Sequence, residues 1–90
     1  MSAHHISIGQ LVTSLAGRDT GQPYLVIGLT GKYVLLADGR ERRVTNPKKK
    51  NIRHVKAYQA IALAVAEKLH SGSKTSDEDI RQAIANLYTG

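Results

Sequence analysis

The 90-residue sequence predicts a β domain with appended α structure: a small five-stranded barrel followed by two C-terminal helices. Three observations predict it. Short β-branched runs separated by Gly, Pro and Asp-Gly turns fill the first 56 residues, the spacing of a small barrel. Near Ala57 the hydrophobic period changes from strand-like runs to the 3–4 spacing of helices. The formal charge of +6, from 13 basic and 7 acidic residues, is carried wholly by the first part. A chain of this length makes one small domain, and 41% hydrophobic residues exclude a disordered basic tail.

The elements follow in order. Gln10 to Leu15 reads as a first strand, closed by a turn through Gly17, Arg18, Asp19, Thr20 and Gly21. Pro23 to Leu29 is the second strand, with Pro at its start, where a missing N–H is tolerated. Thr30-Gly31 turns the chain into Lys32 to Ala37. Gly28-Leu29-Thr30-Gly31 matches the GxxG of KH domains literally, but strand-like runs flank it where helices would be needed, so it reads as a hairpin turn. Asp38-Gly39 suggests a type I′ hairpin returning as a strand from Glu41 to Thr45, broken by Asn46-Pro47. Lys48 to Lys50 reads as a loop, and Asn51 to Lys56 as a last short strand. Tyr58, Ile61, Ala62, Val65, Ala66 and Leu69 lie on one helical face, with Gly72 as a stop. Ser76 reads as the N-cap of a second helix, with Asp77, Glu78 and Asp79 in its first turn and Ile80, Ala83, Ile84, Leu87 and Tyr88 on its apolar face. The domain division is therefore 6–56 for the barrel and 57–90 for a two-helix extension packed on the barrel or on a partner.

Composition narrows the chemistry. The absence of Cys removes disulfides, thiolate metal sites and cysteine nucleophiles. His4 and His5 adjoin but lack spaced carboxylate or thiolate partners, so neither a metal nor another cofactor is expected. No GxSxG, P-loop, HExxH or dinucleotide fingerprint is present, and the chain reads as non-catalytic. Neither a secretory signal nor an apolar run of membrane-spanning length is found, so a cytoplasmic protein with no membrane partner is expected.

Residues 1–56 carry ten basic and three acidic side chains; residues 57–90 carry three and four. Between positions 40 and 56, eight cations face one carboxylate, Glu41. Such concentration points to a polyanionic partner. Gly17 and Gly21 allow close backbone approach to a phosphate, and Arg18 between them offers a fork of donors. Lys48, Lys49 and Lys50 are point charges suited to phosphates, with Arg40, Arg42, Arg43 and Arg53 fixing orientation. The four Tyr are too few to line a single-strand groove, and Tyr24 and Tyr33 read as core or rim residues, so folded RNA read through shape and phosphates is expected.

The ordered segments GQLVTSLAGRDTGQPYLVIGL, YVLLADGRERRV and PKKKNIRHV resemble the KOW-domain RNA-binding proteins, in particular the branch of large-subunit ribosomal protein fourteen and short bacterial relatives. The resemblance covers a little over half the chain. It departs at Thr20, where many KOW motifs place Lys before the central Gly. It implies an SH3-like five-stranded barrel that binds ribosomal or other structured RNA, with ribosomal proteins or a partner helix as further neighbours. The competing expectation is a protein-interaction barrel of the transcription or translation machinery.

Overall fold

The computed structural model describes residues 5–88. Five strands run β1 (Gln10–Ser14), β2 (Pro23–Thr30), β3 (Tyr33–Ala37), β4 (Lys48–Asn51) and β5 (Val55–Ile61). A single 3-10 turn, Ile52–His54, joins β4 to β5, and α1 (Leu63–Ser71) and α2 (Asp77–Leu87) follow. The sheet order is β4-β3-β2-β1-β5 with every neighbouring pair antiparallel. The backbone ladder stays open: β4 and β5 are its two edges, so the expected closed barrel is not formed by strand pairing.

Both faces of the sheet are covered, which is why its central strands read as apolar runs without clean alternation. Val12, Tyr24, Val26, Val34, Leu36 and Val55 form a core on one face, with Ile6, Ile8 and Ile52 packed against it. Leu11, Leu25 and Ala37 point the other way and meet Val65 of α1 and Ile80 of α2. Each fully buried Leu or Ile contributes roughly 1.5–3 kcal/mol, and Leu11, Leu25, Leu36 and Ile80 are all in that state. The helical pair is therefore part of the domain's own core.

Two glycines bring the helices this close. A Cβ on Gly9 would stand 2.9 Å from Ala66 Cβ of α1, and one on Gly39 would stand 2.5 Å from the Asp77 carbonyl oxygen of α2. The helix ends match their sequence signals. Gly72 closes α1 with φ +76°, and Ser76 and Asp79 form a reciprocal capping box at the start of α2.

Several expectations are corrected. Asp38-Gly39 does not open a hairpin to a strand at Glu41–Thr45; residues 38–47 form a loop. A type I′ turn needs positive φ at both central residues, and only Gly39 has it. Asp38 instead turns its carboxylate onto the amides of Arg40 and Arg42, and the Val44 amide donates to Asp77 of α2. Lys48–Lys50 is not a loop but strand β4, paired residue for residue with Leu36, Leu35 and Val34. The last strand expected at Asn51–Lys56 is divided between β4, the 3-10 turn and β5. The first helix starts at Leu63, after β5 has paired Ala57 with Val12 and Ile61 with Gln10. The helical spacing through Tyr58 and Ile61 is a coincidence of period, and the boundary between strand and helix moves from 56/57 to 61/63. Gly28 to Thr30 belong to β2, and the turn is Gly31-Lys32 between the paired Thr30 and Tyr33.

Candidate nucleic-acid interface

The loop from Leu15 to Gln22, between β1 and β2, is the hub of the basic end of the molecule. Three cation-bearing segments are bonded to it. The Leu15 amide donates to the His54 carbonyl, which seats the 3-10 turn carrying Arg53. The Gln22 side-chain amide donates to Asp38 at 3.1 Å, which ties in the loop carrying Arg40, Arg42 and Arg43. Lys48 and Lys50 of β4 reach Asp19.

Asp19 organises this end. Its Oδ1 accepts from Ser14 Oγ at 2.9 Å and Lys50 Nζ at 3.0 Å. Its Oδ2 accepts from the Tyr24 hydroxyl at 2.7 Å and pairs with Lys48 at 3.0 Å. Lys48 and Lys50 can both arrive because alternate residues of a strand share a face. The link spans from edge strand β4 to the loop after β1, so an ionic latch joins β4 to the β1–β2 loop where no backbone ladder does. Burial pushes the Asp19 carboxyl up, but donation from Tyr24, Lys50, Lys48 and Ser14 outweighs it and holds the group well below the usual carboxylate range. Burial and the adjacent Asp19 carboxylate push the Tyr24 hydroxyl well above the usual phenol range.

The latch changes the roles of the expected site residues. Lys50 is 9% exposed and also donates to the Ala16 carbonyl, so it is a structural cation that does not face solvent. Lys48 is half-committed to the same carboxylate. Lys49 alternates to the opposite face of β4, where its ammonium lies 4.6 Å from the Tyr33 ring centroid. The three lysines therefore do not act as one cluster. Arg18, Arg40, Arg43 and Arg53 are exposed and Arg42 is half-buried. Among the described residues none of these five arginines has a carboxylate partner within ion-pair distance. Asp19, the neighbour of Arg18, is engaged by the lysines, and Arg18 has no ion pair among the described residues.

Sequence reasoning missed the part played by Asp19, Ser14 and Tyr24. The signal lay in the strand pairing, which places a lysine-bearing edge opposite the only carboxylate of the β1–β2 turn. It also missed Lys32, whose ammonium stands 5.9 Å from the Tyr33 ring. Of the histidine pair, His5 is exposed and His4 lies outside the described residues. Among the described residues, no helix is long and apolar enough to cross a membrane. Comparison of the chain with protein-family profiles and with curated protein sequences gives no significant match.

Proposed function

We propose that this chain is a non-catalytic RNA-binding protein of the SH3-like KOW type, acting on ribosomal or similarly folded RNA. The observation that carries the reading is the convergence of three cation-bearing segments on the Leu15–Gln22 loop, with five arginines that have no ion pair among the described residues. The strand order and the 3-10 turn between the last two strands support the barrel type. The free guanidiniums would neutralise phosphates and set orientation, while the latched lysines hold the loop that presents Arg18. Folded RNA fits better than a long single strand, because Tyr24, Tyr58 and Tyr88 are all taken up in packing.

Five phosphate contacts give a slope of log affinity on log salt of about −3.5 to −4.5. A titration against an rRNA hairpin from 50 to 300 mM salt measures it. Changing Arg18, Arg40 and Arg53 together to Gln lowers the slope by about 2–3; a flat salt dependence in the parent protein rejects the reading.

One observation favours the protein-interaction alternative. Leu63 and Ile61 are 76% and 39% exposed beside a groove between α1 and α2. Under that reading, captured partners survive nuclease treatment and the purified protein carries no nucleic acid by its 260/280 ratio.

A further inference from the structure

Tyr33 stands apart from the other three tyrosines. Tyr24 is buried with its hydroxyl on Asp19. Tyr58 and Tyr88, also half-buried, meet edge to face at 6.2 Å and pack against the core beneath the helices, so the Tyr58 ring is engaged by Tyr88 although Lys56 lies 5.2 Å from its centroid. Tyr33 belongs to neither core and is only half-buried. It opens β3, paired with Thr30 on one side and Asn51 on the other, beyond the part of the sheet that α1 and α2 cover. Leu35 follows on the same face, its side chain lying over Gly28, and Lys49 is its cross-strand partner. Two ammonium groups lie over the Tyr33 ring, Lys49 at 4.6 Å and Lys32 at 5.9 Å from its centroid. Among the described residues neither has a carboxylate partner.

A half-buried aromatic ring with two nearby ammonium groups has the parts a nucleotide needs: a platform for the base and charges for the adjoining phosphates. We propose that Tyr33, Lys32 and Lys49 form a site for one unpaired nucleotide of the bound RNA, its base stacked on the ring. The inference rests on the RNA-binding reading and specifies the RNA as folded but carrying a bulged or looped-out residue. An ammonium over the ring leaves it for a phosphate as the base arrives, so each lysine exchanges a weak exposed contact for a charge-assisted one. The site joins the basic end directly. The Ile52 amide donates to the Lys32 carbonyl at 2.9 Å, and the same 3-10 turn carries Arg53 and receives the Leu15 amide. A strand stacked at Tyr33 can therefore continue past Arg53 toward Arg18.

The test uses the whole chain and two RNA hairpins, one with a single 2-aminopurine bulge and one fully paired. The parent protein binds the bulged hairpin at least about fivefold more tightly, the lower end of a base–aromatic stack, and quenches its fluorescence. Tyr33→Leu brings the ratio of the two affinities close to one and removes the quench, and Tyr33→Phe restores both. The doubly substituted Lys32→Gln/Lys49→Gln protein, altered at exposed or strand-surface positions only, also lowers the ratio and guards against a folding defect in Tyr33→Leu. Equal binding of both hairpins by the parent, with its salt slope intact, overturns the nucleotide site and leaves the RNA reading standing. Failure to bind either hairpin overturns both.

Discussion

Replacing Asp19 by Ala tests whether an ionic latch holds β4 to the β1–β2 loop. The substitution removes four donor contacts and leaves the Lys50 ammonium, 9% exposed, with the Ala16 carbonyl as its remaining acceptor. Stripping the partner from a buried charge costs about 3–5 kcal/mol. Lys48 is 26% exposed and can turn to solvent, so its lost pair adds at most about 1 kcal/mol. Against a total stability of about 5–15 kcal/mol, the change removes a third or more for a domain near the lower half of that range. Urea unfolding followed by circular dichroism reads it as a lower midpoint at unchanged m. The double variant Asp19→Ala/Lys50→Met removes the orphaned charge and recovers at least about 1 kcal/mol. A loss below about 0.5 kcal/mol in the single variant would refute the latch.

Two further outcomes follow from the same contacts. Because the Asp19 pKa is lowered on folding, its stabilisation is complete above about pH 4 and is lost as pH falls toward its own depressed value. Tyr24 is raised, so its contribution is present below about pH 10 and lost as pH rises beyond it. Melting temperature against pH shows both limbs, and Asp19→Asn removes the acid limb attributable to this group. Gly39→Ala strains a backbone at φ +80° and drives a Cβ to 2.5 Å from the Asp77 carbonyl, so it costs about 1–3 kcal/mol or more by thermal melting; an unchanged melting temperature would mean that the 38–47 loop does not pack on α2 as described.

The strands β1, β2 and β3 were legible because apolar runs bounded by Gly, Pro and Thr-Gly leave little other choice for a short segment. The second helix was legible in every part, from the Ser76 cap to the Ile80 face, since capping and amphipathic spacing are local properties. Where local signals competed, the reading failed. Asp38-Gly39 has hairpin chemistry, but the Asp38 carboxylate binds the amides of its own loop, and α2 takes the next one. Three consecutive lysines read as a loop because no local rule favours burying Lys50. Tyr58 to Ile61 satisfied a helical period, yet pairing with β1 won them for β5.

By itself, then, the sequence determined that a small β unit precedes a helical pair, and that positive charge concentrates before residue 57. Both depend on residue type and short-range spacing. Tertiary structure alone decided which cations remain free. An ion pair is set by which strands become neighbours in space, and Asp19 lies 29 residues before Lys48 in the chain but 3.0 Å from it in the fold.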